Sequence, residues 1–173
     1  SIGRMPPHSP LVGRLRMLLR HESSDVVRYA LESASRHARR EHVPLILPRL
    51  GDASLADAAA SALAAYGVRI AGTLGDALVD GSLPPAVRKA VPAVLARAAA
   101  PRTAAVLLRA LRRRDPDVQG EIIDALVRMR ADNPALAFPA AAVGAELRRA
   151  VAAACQAVED HAGRRGAVLE RAA

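Results

Sequence analysis

Asp25-Val26-Val27-Arg28-Tyr29-Ala30-Leu31 and Ala86-Val87-Arg88-Lys89-Ala90-Val91 share one pattern, and weaker copies of it begin at Ala56-Asp57 and Val118-Gln119. The positions Val27, Ala56, Val87 and Val118 are spaced by 29, 31 and 31 residues. A turn precedes each copy: Glu22-Ser23-Ser24, Gly51-Asp52-Ala53-Ser54, Asp80-Gly81-Ser82 and Asp115-Pro116-Asp117. A stripe of small or apolar residues follows each: Ala30/Ala34, Ala59/Leu63, Val91/Leu95 and Ile122/Leu126. Four-residue spacing places each stripe on one helix face. A helix pair recurring about every 30 residues cannot bury such a face alone, so neighbouring pairs must stack.

The rest of the chain fits around these four helices. Ser9 and Pro10 are set to cap and open a first helix with Leu11, Leu15, Leu18 and Leu19 along one stripe. Ser24 is expected to cap the second helix, with Val27, Ala30, Leu31 and Ala34 inward. His37 to His42 reads as a basic, solvated connector, and Pro44 opens a helix to Leu50 that Pro48 distorts. A helix from Ser54 to Tyr66 stops at Gly67, and another runs from Val68 to Val79 through Ile70, Leu74 and Leu78. After Pro84 and Pro85, Val87, Val91, Val94 and Leu95 face the core, and Pro92 is expected to bend the helix. Pro101 opens a helix to Arg114, and the helix from Val118 to Arg130 buries Ile122, Ala125, Leu126 and Met129. No stretch alternates as a strand would. The expected fold class is all-α: an α-solenoid of about four helix pairs plus a C-terminal capping helix. The expected segments are a loose lead over 1–9, repeats over 10–130, a capping helix region over 131–162 and a weakly ordered tail over 163–173. The opening at Ser1 suits a piece cut from a longer protein.

Composition supports tight helix packing. Hydrophobic residues make up 51% of the 173, but aromatics only 2%: Tyr29, Tyr66 and Phe138. A core of Ala, Leu, Val and Ile lets helix axes approach closely. Tyr29 and Tyr66 are expected to pack between helices. The net charge of +8 invites polyanion binding. Lys89 is the sole lysine, however, and abundant Ala, Arg, Gly and Pro point to a GC-rich coding sequence that raises Arg throughout. Cys155 stands alone, which excludes an internal disulfide and favours a reducing, cytoplasmic setting. The most apolar stretch, Ala53 to Gly72, holds Asp57, Tyr66 and Arg69 and divides at Gly67, so no membrane span is expected.

The chemistry-bearing residues do not assemble into a catalytic or metal motif. His37 and His42 lie five apart, where a helical zinc pair needs three or four. Ser23 and Ser24 beside His21 lack a nucleophile elbow and an oriented base, and helix capping accounts for them. Cys155 among Ala152, Ala153, Ala154 and Ala157 reads as a buried, inert thiol. No phosphate-binding glycine loop occurs. No cofactor, metal or enzymatic activity is therefore expected.

At its repeated positions the chain resembles the HEAT-repeat family in its short bacterial form: a turn with Asp, then Val-Arg, a small residue and Leu. Asp57 and Gln119 depart from the pattern, which interrupts the Asp–Arg ladder the resemblance implies. A second resemblance rests on Ile122 to Arg130 followed by Asn133-Pro134 and Phe138. It is to HEAT segments fused to bacterial ATP/ADP-translocase-like transporters, and it implies a cytoplasmic module of a larger membrane protein. The family resemblance implies a non-enzymatic protein-interaction or regulatory module. Its expected partner is a protein, or a flanking domain of the same polypeptide, with an acidic surface. Second helices would line the concave face, with Arg28, Glu32, Arg36, Arg88, Lys89, Glu121, Asp124 and Arg128 as its candidate residues. Arg109, Arg112 and Arg113 form a further basic cluster on a helix without acids. Cations at that helix's C-terminus also complement its dipole. The candidate partner-binding residues are thus Arg28, Arg36, Arg88, Lys89, Arg109, Arg112, Arg113 and Arg128. The competing reading is non-specific nucleic-acid binding through the arginine clusters. A glycosylase-like version lacks base-stacking aromatics, and a bilin-lyase-like enzyme would rest on fold analogy alone.

Overall fold

The computed structural model describes residues 10–113 and 115–136, and residues 144, 145, 148, 149 and 152 farther on. The chain divides into two compact units, Ser1–Leu136 and Ala137–Ala173. The described residues are all-α. The α-helices are α1 (Pro10–Leu18), α2 (Ser24–His37), α3 (Val43–Ile46), α4 (Ala56–Ala64), α5 (Ala71–Val79), α6 (Pro85–Arg97), α7 (Pro101–Leu111) and α8 (Pro116–Asp132). Short 3-10 turns occupy Arg40–His42, Leu47–Gly51 and Gly67–Ile70. In the second unit residues 144, 145, 148, 149 and 152 are helical, with Arg148 and Arg149 exposed. The expected Ser9 cap, Arg114, the bulk of the capping helix, Cys155 and the tail lie outside the described residues.

Local chemistry explains where the helices break. Pro48 follows α3, and there the chain tightens into the 3-10 turn Leu47–Gly51. Gly67, at φ +57°, turns the chain after α4, so that Ala56–Ala64 and Gly67–Val79 meet at 105°. α2 ends on Ala38 in the left-handed region (φ 42°), its N–H donating to the Ala34 carbonyl. α6 runs on through Pro92. Thr103 supports the start of α7: its hydroxyl accepts from the Ala100 N–H and donates to the Ala100 carbonyl.

The four turns that lead into α2, α4, α6 and α8 share one device. A side-chain acceptor takes the N–H two residues on: His21 Nδ1 from Ser23 at 3.0 Å, Asp52 from Ser54 at 3.0 Å, Asp80 from Ser82 at 2.9 Å and Asp115 from Asp117 at 3.0 Å. Such local bonds set the turn before each helix. Ser54 and Ser82 also donate their hydroxyls to the same carboxylates, both at 2.7 Å. These hydroxyl bonds, then the backbone ones, hold the Asp52 and Asp80 carboxyls below the ordinary Asp value. Ser24, expected as a cap, is instead the first residue of α2; Ser23 occupies the cap position without a side-chain bond. His21 has taken the role that aspartate plays in the other turns.

Packing follows chain order. α2 packs on α4, α4 on α6 and α6 on α8, while α1 packs on α2, α5 on α6 and α7, and α7 on α8. The core consists of the expected stripes, including Val27, Leu31, Val87, Leu95, Ile122 and Met129, each at most 1% exposed. Burial of each large aliphatic side chain contributes about 1.5–3 kcal/mol. Small residues set the spacing. A Cβ added to Gly75 would lie 2.6 Å from Val106 Cγ1, so α5 and α7 meet where α5 has no side chain.

Polar ties between elements join residues about one sequence period apart. Arg28 donates to the Ser54 carbonyl 26 residues on, and Tyr66 Oη donates to the Arg39 carbonyl across 27. Arg40 donates to the Arg69 carbonyl across 29 and Arg49 to the Leu19 carbonyl across 30. Arg88 pairs with Asp115 across 27, and Arg97 donates to Ser61 Oγ across 36.

Candidate interaction surface

Two concavities hold the polar groups that the fold gathers. The first is a groove of about 310 Å³ between α2 and α4. Four-residue spacing puts Arg28, Glu32 and Ser35 on the α2 side, and Ala58, Ser61 and Ala65 on the α4 side. Leu31 and Ala62 form its floor, and the alanines leave the room that longer side chains would fill. Its rim is internally matched. Glu32 pairs with Arg36 one turn on, Arg28 is held by the Ser54 carbonyl at 3.3 Å, Ser35 donates to the Glu32 carbonyl at 2.7 Å, and Arg97 reaches Ser61 at 3.0 Å. The rim is therefore of mixed polarity, and its exposed ion pair contributes about 0–1 kcal/mol.

The second, a cleft of about 210 Å³ between α5 and α7, is lined by Gly75, Asp76, Val79, Val106, Arg109, Ala110 and Arg113. Arg109 and Arg113 lie one turn apart on α7 and its C-terminal extension. Arg112 is exposed beside them.

The sequence candidates therefore separate. Arg28 lines the α2–α4 groove and Arg36 pairs with its Glu32, Lys89 and Arg128 are exposed on α6 and α8, and Arg109 lies on α7 with Arg112 and Arg113 just after it. Arg128 Nε donates to the Asp124 carbonyl at 3.4 Å. Arg88 departs from the expected concave face. It is 6% exposed, pairs with Asp115, donates to the Leu78 carbonyl at 3.3 Å and lies 3.9 Å from Asp117. Facing inward from α6 toward the turn before α8, it joins two helices and offers little to a partner.

Two other expectations are corrected. Tyr66 is buried as expected, and burial raises its phenol pKa to about 12, but Tyr29 is 72% exposed on α2. In the connector, His42 is 1% exposed, and neither ring nitrogen has a hydrogen-bond partner. Burial lowers its pKa below 6.5, against the opposing pull of Glu41, whose carboxylate is 3.7 Å from Nε2. Arg39, Arg16 and His37 add to the lowering. Sequence reasoning missed this because a single 3-10 turn has no periodicity from which to assign an inward face.

No group of three His, Cys, Asp or Glu residues that could hold a metal ion occurs among the described residues. No single described helix is long and apolar enough to cross a membrane. No protein-family model, curated protein or solved structure matches the chain.

Proposed function

We propose that this chain is a non-enzymatic interaction module, an array of about four HEAT-like helix pairs that docks a protein partner or a flanking domain of its own polypeptide. The observation that carries this reading is the spacing of the inter-element ties. Of the six inter-element ties named above, five span 26 to 30 residues, close to the sequence period of 29–31, and the sixth spans 36. The four equivalent side-chain-to-backbone turns support the same repeat. Arrays of this kind present extended surfaces built from adjacent helices, and the α2–α4 groove is such a surface. No catalytic role is assigned to any residue. The partner feature proposed is an acidic group facing exposed Arg28 and Lys89, which make no ion pair with a described carboxylate, whereas Arg36 is already matched by Glu32. The transporter-like context is carried as part of this proposal: the flanking domain would be the membrane region of the same polypeptide, with this module on its cytoplasmic side.

The sole lysine provides the test. An amine-directed cross-linker in the full reading frame acts within this module only at Lys89 and at a free N-terminus, if one is present. We expect cross-links from Lys89 to a flanking domain or partner, reduced by the double substitution Arg28→Glu and Arg36→Glu. Cross-linking that is absent, or unchanged by those substitutions, overturns docking on this face.

A further inference from the structure

The arginines are unevenly divided between the two kinds of helix. The first elements of the pairs, over residues 10–20, 39–51, 67–79 and 101–113, carry eleven arginines against only Glu41 and Asp76. The second elements, α2, α4, α6 and α8, carry seven basic and seven acidic residues. Coding bias raises the arginine count everywhere, but it does not concentrate the carboxylates on α2, α4 and α8; α6, with Arg88, Lys89 and Arg97 and no acid, departs from this division.

The first elements also adjoin one another. Arg49 of the second donates to the Leu19 carbonyl after α1 at 3.0 Å, Arg40 donates to the Arg69 carbonyl of the third at 2.8 Å, and α5 packs on α7. A carbonyl partner fixes a guanidinium without neutralising its charge. Arg14, Arg16 and Arg20 at one end of the row, and Arg102, Arg109, Arg112 and Arg113 at the other, are exposed. None of these makes an ion pair with a described carboxylate. With packed helices about 8–10 Å apart, the row extends roughly 25–30 Å.

We infer that this first-helix row is a binding surface for the phosphate backbone of double-stranded nucleic acid, separate from the protein-docking face proposed above. Three observations select this occupant. The surface is predominantly positive, with eleven arginines against Glu41 and Asp76 and its unpaired exposed charge concentrated at the two ends, which suits a polymer bearing one negative charge per about 1.7 Å of axis. Protein interfaces are usually centred on buried aromatic or apolar anchors. The exposed large apolar side chains on these elements are Met17 and Val68, on separate elements, whereas Tyr29 and Val127 lie on α2 and α8. The same scarcity of apolar area disfavours membrane insertion. With no aromatic side chain on the row, the contacts reach phosphates and leave base sequence unread.

The test is a fluorescence-anisotropy titration of the whole chain with a short mixed-sequence DNA duplex. It compares two variants that each remove four charges. One carries Arg102→Gln, Arg109→Gln, Arg112→Gln and Arg113→Gln; the other carries Arg36→Gln, Lys89→Gln, Arg97→Gln and Arg128→Gln. All eight positions are exposed, and thermal melts confirm that each variant folds. In low salt the first variant should lose at least about tenfold more affinity than the second, and its slope of log K against log salt should flatten by roughly 3–4. Equal losses would make the binding a product of net charge alone and overturn the inference. No duplex binding by the parent chain, or tighter binding to phosphatidylserine vesicles than to duplex, would do so as well. None of these results bears on cross-linking from Lys89, so the two readings stand or fall separately.

Discussion

Removing Asp115 should destabilise the protein more than removing its partner Arg88, although Arg88 is the more buried of the two. The Arg88 side chain is 8% exposed and that of Asp115 31%. Asp115→Ala removes the turn acceptor before α8, at about 1 kcal/mol. It also strands a buried guanidinium. Breaking a fully buried pair costs about 3–5 kcal/mol. Here Arg88 keeps the Leu78 carbonyl and a distant Asp117, so the electrostatic loss should be nearer ~2 kcal/mol, or ~3 in total. Arg88→Met keeps the apolar stem and leaves an aspartate that is partly hydrated and still bonded to the Asp117 N–H. Its cost should be about 1 kcal/mol. In the double variant there is no cation to strand, so it should be more stable than Asp115→Ala alone. Urea unfolding of the four proteins at neutral pH measures each value. If Asp115→Ala costs no more than Arg88→Met, or the double variant is the least stable, the pair does not act as a buried tie.

Gly75→Ala should cost about 1–3 kcal/mol because its Cβ would fall 2.6 Å from Val106 Cγ1, and Val106→Ala should restore part of that loss in a thermal melt. Ala38→Gly and Ala99→Gly, at φ 42° and 40°, should each stabilise by about 0.5–1 kcal/mol, net of the added freedom of the unfolded chain; lower denaturant midpoints would show that neither position is strained. His42 should make stability pH-dependent: with its folded pKa below 6.5, the unfolded chain takes up the proton first, so stability falls as pH drops below 6.5 and levels off beneath the folded value. His42→Leu should remove that slope from urea midpoints taken between about pH 7.5 and pH 5, whereas the loss contributed by Asp52 and Asp80 comes at lower pH, as it falls through their lowered pKa values.

Helices and core were legible wherever an apolar period ran long enough to define a face. Val27, Ala30, Leu31 and Ala34 on α2, and Ile122, Ala125, Leu126 and Met129 on α8, are buried as their spacing requires. The turns were also legible, because Asp at three of the four positions marks a local bond. The surface was less so. Arg88 and Lys89 are adjacent and chemically alike, yet one is enclosed and the other exposed. The difference depends on Asp115, 27 residues away, which periodicity on α6 cannot see. Tyr29 follows a core valine by two positions and points to solvent, a placement set by which side of α2 receives α4. The division of charge between first and second helices was present in the residue order, but it has meaning only once the first elements are seen to adjoin.

The near-constant reach of the inter-element ties has a kinetic consequence. Closing a chain loop costs an entropy that grows as the logarithm of its length. Between separations of 26 and 36 residues the difference is only about 0.3 kcal/mol. Closing the chain between tied elements is therefore almost equally demanding at every such joint, so loop length does not rank the joints and side-chain contacts can. A substitution such as Arg88→Met should then weaken the one joint between α6 and the turn before α8 while leaving the closure of the others unchanged.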